Sequence, residues 1–180
     1  RNFRNEGIST KHNPEFTEVE FYQAHTDYRA LMDLTERMFL RIARESIHSD
    51  VFTYQGHQID FSKSFKRMTV LEALTNHDKR MRPDLLYDTK QLRIWLHEAG
   101  VRDKDDAPVG VQQMCLFDAL VEEHLIQPTF ITAYPVAVSP LARLSDTDPR
   151  VTDRFELYLG GMEVANGFSE LNDPEDQAAR

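Results

Sequence analysis

The chain has 180 residues, 41% of them hydrophobic and 28% charged, enough apolar content for one globular domain with its own core and too much for wholesale disorder. Its 21 Lys and Arg against 30 Asp and Glu leave a formal charge of -9, which argues against a broad nucleic-acid-binding surface on these residues while allowing a local basic groove. The single cysteine, Cys115, excludes an internal disulfide and a multi-cysteine zinc site. Its setting, QQMCLFDAL, is helical and apolar, so a buried structural thiol in a reducing compartment is expected. No run approaches the roughly 20 apolar residues of a membrane span, and the opening RNFRNEG does not resemble a signal peptide. A soluble, cytoplasmic protein without a membrane partner is the expectation. The start at Arg1 and the stop at Arg180, inside what reads as a helix just begun, suggest an excised piece.

In chain order, EFTEVEFY over residues 15 to 22 predicts a strand with Thr17, Val19 and Phe21 on one face and Phe16, Glu18, Glu20 and Tyr22 on the other. DYRALMDLTERMFLRIARES predicts a helix N-capped by Asp27, with Leu31, Leu34, Met38, Ile42 and Ala43 as its apolar stripe, lying over that strand. VFTYQGHQIDF reads as a hairpin about Gln55-Gly56. Thr69 and Glu72 form a capping-box pattern, KQLRIWLHEAG ends a second helix at Gly100, and VQQMCLFDALVEEHL makes a third. Residues 69 to 125 are therefore a mostly helical insert. TFITAY, residues 129 to 134, is a strand, PVAVSPLARLSDTDP a long loop, and RFELYLGGMEVANGFSEL a hairpin turning at Gly160-Gly161. Asp173-Pro174-Glu175 supplies a cap, a first-turn proline and an acidic first turn for a closing helix. The expected class is α+β, an antiparallel sheet flanked by helices, in one domain over 1 to 180.

The chemistry concentrates in two places. The last hairpin carries Glu156, Glu163 and Glu170, and under strict alternation Glu156 shares a face with Tyr158 while Glu163 has the opposite parity to Asn166, Phe168 and Glu170. They reach one cleft only if a bulge intervenes, expected at Ala165-Asn166-Gly167. Carboxylates on a strand are ordinarily its wet face. The first strand weakens that view, because Phe16 and Tyr22 accompany Glu18 and Glu20, and aromatics beside carboxylates line clefts. Two glutamates on a hairpin suit a hard cation such as Mg2+, which takes oxygen ligands and keeps waters. A glutamate beside a tyrosine suits an ammonium. Arg4-Asn5-Glu6, followed by a loop bearing Lys11 and His12, offers the planar guanidinium fork that grips phosphate. ATP and a basic amino acid together would fill all three.

On those residues the chain resembles the catalytic domain of the bacterial, lysine-specific class II aminoacyl-tRNA synthetases. FRNEGISTKHNPEFTEVEFYQAHTDY is similar to the class's second motif, and LIQPTFITAYPVAVSPLAR with RFELYLGGMEVANGFSELNDPEDQAAR is similar to the later part of the domain. The resemblance implies a lysine-tRNA ligase that uses ATP and Mg2+ to make lysyl-adenylate and passes lysine to tRNA(Lys), as a homodimer. It implies that Arg4 is catalytic, gripping the α-phosphate and the substrate carboxylate, that Glu6 contacts adenine, that His12 meets the distal phosphates and that Phe16 stacks on the base. Glu156 and Glu163 would hold Mg2+ and ATP. Glu20, Tyr22, Asn166, Phe168 and Glu170 would form the lysine pocket, with Tyr22 and Glu170 at the ε-ammonium and Asn166 near the carboxylate. Glu18, Met162 and Ala165 depart from the family pattern, while Ser139, Pro140 and Arg143 match a family loop without an assigned role. The first class motif, the glycine-rich last motif and the anticodon-reading β-barrel are not among these residues, so the fragment alone is expected to be inactive. Alternatives are the paralogue that lysylates a translation factor, and a non-catalytic lysine- or nucleotide-binding module.

Overall fold

The computed structural model describes every residue except Glu6, Thr10, Lys11 and Asp103. Its centre is a four-stranded sheet in the order β5-β6-β7-β8, built from β5 (Lys66–Thr69), β6 (Thr129–Thr132), β7 (Arg154–Leu159) and β8 (Met162–Phe168). The expected α+β class with an antiparallel sheet holds for β6, β7 and β8, which are antiparallel neighbours, and the structure adds a parallel edge: β5 lies parallel to β6, Lys66 opposite Thr129 and Thr69 opposite Thr132. Parallel neighbours cannot be joined by a tight turn, and here the connection runs through three helices. They are α2 (Val70–His77), α3 (Thr89–Glu98) and α4 (Val109–Leu120).

Local chemistry sets these elements. Thr69 accepts from the Glu72 amide while the Glu72 carboxylate takes the Thr69 amide at 2.7 Å, so both halves of the capping box form at the start of α2. Asp88 caps α3, and Gly100, at φ +77°, closes it in the left-handed conformation. Gly160 and Gly161 both have positive φ, matching the twist of the β7-β8 hairpin. Gln55 and Gly56 do the same for the separate hairpin β3 (Val51–Tyr54) and β4 (His57–Asp60).

The two sheet faces are buried differently. Ile131 and Tyr158 join Leu74, Leu92, Trp95, Leu116 and Phe117 beneath α2 to α4. Phe130, Phe155 and Leu157 point the other way, toward α1 (Tyr28–Ile42) and Ile59 and Phe61 of the β3-β4 region. Asp27 caps α1 as expected, accepting from Ala30 at 2.9 Å. The buried stripe of α1 matches the expected one only in part: Ala43, just past the helix, is buried and Leu31 packs against the core as expected, but the buried residues within the helix are Tyr28, Met32 and Thr35, with Met38 and Ile42 at 36% and 51% exposure. Thr35 tolerates burial because its hydroxyl bonds to the Leu31 carbonyl at 2.8 Å, a local satisfaction that apolar periodicity does not register. The helix lies against β7 and β8, rather than over residues 15 to 22.

Residues 15 to 22 also depart from expectation. Strand pairing there is confined to β2 (Glu15–Phe16) against β1 (Asn2–Phe3), and residues 17 to 23 are exposed without regular structure. A two-stranded ribbon with no third strand is marginal, and β-propensity alone does not extend it.

Candidate active site

The β7-β8 hairpin assembles most of the candidate site. A bulge does reconcile the parities, but one position earlier than the expected Ala165-Asn166-Gly167: Leu157 faces Ala165 and Tyr158 faces Glu163, leaving Val164 as the extra residue. Beyond it, Glu156 faces Asn166 and Arg154 faces Phe168. Directly opposed residues share a side of the sheet, so Arg154, Glu156, Tyr158, Glu163, Asn166 and Phe168 all project together. Glu170 follows, bridged to Ala142 of the long loop.

Glu156 is the best-held of these side chains and is 6% exposed, the opposite of a wet-face carboxylate. Tyr134 and Tyr158 both donate hydroxyl hydrogen bonds to its Oε2, at 2.7 and 2.6 Å, and Arg154 donates from Nη2 to Oε1. Burial first, and then the Glu156 charge, push both phenols well above the ordinary tyrosine range. Glu163 keeps an exposed surface, yet its carboxyl is pushed up to about 7, by loss of hydration first and then by the charge of Glu156. Arg154 and a hydrogen bond from Asn166 pull in the opposite sense.

The amino-terminal candidates form a second group. The Arg4 amide donates to the Pro14 carbonyl at 3.0 Å, and its guanidinium lies over the Phe16 ring, 5.4 Å from the centroid. That guanidinium is also 4.0 Å from Glu18, whose carboxylate accepts from Asn2 at 2.7 Å. His12 Nδ1 lies 3.1 Å from the Ser9 hydroxyl. The adenine contact expected of Glu6 lies outside the described residues. Tyr22 donates to Glu20 at 2.8 Å, and its phenol is raised by that bond, by the Glu20 charge and, more weakly, by Glu170. Glu170 is therefore within electrostatic reach of the Glu20-Tyr22 pair. The bonds named here tie Arg4, His12 and Phe16 to their own segment, not to Glu156 or Glu163.

Two contributors escaped sequence reading, Arg154 and Tyr134, and Ser139 matches a family loop without an assigned role. Arg154 and Tyr158 flank Glu156 at alternate positions on one strand, a signal that was available. Tyr134 required knowing that β6 pairs with β7, Ile131 opposite Glu156. Cys115 is half-buried and its thiol is raised, chiefly by burial, as suits a structural role.

Glu156 and Glu163 are two oxygen donors on one face, one raising the other's affinity for a proton, and a divalent cation would relieve that repulsion. The donor set therefore fits Mg2+, although no cluster of three or more His, Cys, Asp or Glu side chains among the described residues forms a ready-made metal cage. No helix among the described residues is long and apolar enough to cross a membrane.

The fold is thus an α+β chain with carboxylates gathered on an antiparallel hairpin and an arginine on a separate short ribbon. Residues 1–180 match the family model for class II tRNA synthetases (D, K and N), and the chain belongs to that family. It is 50% identical over 180 residues to the lysine–tRNA ligase of Aromatoleum aromaticum, 51% identical to that of Legionella pneumophila strain Corby and 53% identical to that of Idiomarina loihiensis. Each alignment covers 100% of this chain and 36% of the relative, so the chain spans about a third of their length.

Proposed function

We propose that these residues are a partial catalytic domain of a cytoplasmic lysine–tRNA ligase, with a helical insert at about 69 to 125, and that the whole protein activates lysine with ATP and transfers it to tRNA(Lys) as a homodimer. The observation that carries this reading is the Val164 bulge, which puts Glu163 and Asn166 on the same face as Glu156. The names of the relatives support it.

In this reading the ε-ammonium of lysine is recognised by Glu20, Tyr22 and Glu170, with Phe168 as an apolar wall for the methylene chain and Asn166 toward the carboxylate. A neutral analogue would leave those carboxylates without a counter-charge, which is the source of selectivity. Phe16 and Glu6 serve adenine, His12 the distal phosphates and Arg4 the α-phosphate. A carboxylate oxygen of lysine attacks the α-phosphorus, the new P–O bond forming as the bond to pyrophosphate breaks, and no protein nucleophile is needed. Arg4 stabilises the charge that builds on the α-phosphoryl oxygens. Held by Glu156 and Glu163, Mg2+ would offset charge on the ATP phosphates. For Arg4 to act it must leave the face of Phe16, and adenine arriving on that ring supplies the exchange.

The test is amino-acid-dependent ATP-pyrophosphate exchange on the intact protein, with lysine, β-lysine, arginine and aspartate compared. Exchange driven best by lysine is expected. A preference for β-lysine would transfer the reading to the translation-factor paralogue, and absence of exchange from folded protein would overturn it in favour of a binding module.

A further inference from the structure

The Glu156 carboxylate has more partners than a metal ligand ordinarily keeps. Arg154 occupies Oε1, and the hydroxyls of Tyr134 and Tyr158 occupy Oε2. Of roughly four lone-pair positions on a carboxylate, three are taken. The far arm of the same guanidinium is also committed: Nη1 donates to the Val138 carbonyl at 2.9 Å and to the Ser139 hydroxyl at 3.0 Å, while Cζ lies 4.7 Å over the Tyr134 ring. Nε is buried and has no hydrogen-bond partner. Arg154 therefore has two directions of work, toward Glu156 and toward the turn of residues 138 and 139. That turn is itself tied down, since Arg180 donates to the carbonyls of Ser139 and Ala142 at 3.1 and 2.9 Å.

The geometry points to Arg154 as the built-in counter-cation of the Glu156 and Glu163 pair, held by the 138–139 turn, with a divalent cation entering by competing for Glu156. This rests on the assignment of those glutamates as metal donors in the proposed function. A carboxylate as buried as Glu156 is costly to leave without an opposite charge, and the guanidinium supplies one from within the fold. Its fork also allows one arm to stay on the turn while the other meets the carboxylate. A bare cation gains only its advantage over the resident guanidinium. The site is thus a poor one for free metal and a better one for metal arriving with a polyphosphate whose oxygens complete its coordination. Arg154 is a positioning residue in this scheme, acting through Glu156.

The experiment is a Mn2+ titration of the intact protein without nucleotide, free Mn2+ being counted by electron paramagnetic resonance. Arg154→Met keeps the buried stem and removes the charge, so it is expected to bind Mn2+ about three- to tenfold more tightly than the wild type, the effect of deleting a neighbouring cation in a partly screened site. Arg154→Lys keeps a charge and is expected to stay within about twofold of the wild type. Folding of each variant is checked by circular dichroism, and if Arg154→Met does not fold, the neutral Arg154→Gln carries the same expectation. Equal or weaker Mn2+ binding by a folded neutral variant overturns the proposal. Glu163→Gln tests the underlying assignment separately: at least tenfold weaker binding is expected, and wild-type affinity in that variant would sink the metal site itself, whatever Arg154 does.

Discussion

The Glu163 carboxyl offers a prediction whose sign is unusual. Its affinity for a proton is raised from the ordinary 4.5 to about 7, first by loss of hydration and then by Glu156. Below the unfolded value both states are protonated, and the group costs nothing. As pH rises toward about 7 the unfolded chain ionises while the folded chain resists, so the folded state loses stability that does not return above that pH. Taken at face value the shift is worth about 3 kcal/mol. Because Glu163 keeps an exposed surface, solvent screening reduces this to about 1 kcal/mol. Glu163→Gln should therefore steady the metal-free hairpin by about 1 kcal/mol near pH 8 and leave it level with the wild type near pH 4.5. The assay is native-state hydrogen exchange of β8 amides in the intact protein with a chelator present, corrected for intrinsic rates; about fivefold slower exchange in the variant at the higher pH is expected. Saturating Mg2+ should reverse the order, because only the wild type retains both donors. A variant that exchanges faster than the wild type at high pH without metal would refute the reasoning.

Three further outcomes follow from particular contacts. Glu170→Gln should weaken lysine binding at least tenfold while sparing ATP, measured by calorimetry on the intact protein, since in the proposed pocket it removes a counter-charge of the ammonium; unchanged lysine affinity would remove Glu170 from the pocket. Gly167→Ala should destabilise the hairpin by about 1 to 3 kcal/mol in thermal unfolding, because the new Cβ would stand 2.7 Å from the Phe155 ring, which is fixed in the core between Phe130 and β8; a neutral result would mean that the ring has room to move. Thr69→Ala should cost about 1 kcal/mol through loss of the reciprocal cap on α2, read from exchange at its first-turn amides.

The elements that could be read from sequence are those decided by near neighbours. Asp27, Thr69 and Asp173 cap helices through bonds spanning two or three residues, and Gly160-Gly161 turns a hairpin whatever surrounds it. Pairings made at a distance were not legible. That Lys66 runs parallel to Thr129 depends on how α2 to α4 return the chain, and nothing in KRMT states it. The segment from Thr17 to Tyr22 shows the converse error, β-propensity without a neighbouring strand to satisfy it. At the site, the need for a bulge followed from parity, whereas its place at Val164 depends on the register of the opposing strand. The Glu156 network was half visible, because Arg154 and Tyr158 lie on the same strand and Tyr134 arrives from another.

The parallel pairing of β5 and β6 joins residues far apart in the chain. Their contact closes a loop that contains α2, α3 and α4, and the entropy of that closure is repaid only after the helices have gathered their own core around Leu74, Leu96 and Phe117. Tyr158 shares that core, and its hydroxyl reaches Glu156. The residue that anchors the site's buried carboxylate is therefore also part of the helical core that the β5-β6 contact encloses, so the packing of α2 to α4 and the geometry of Glu156 are one structural unit.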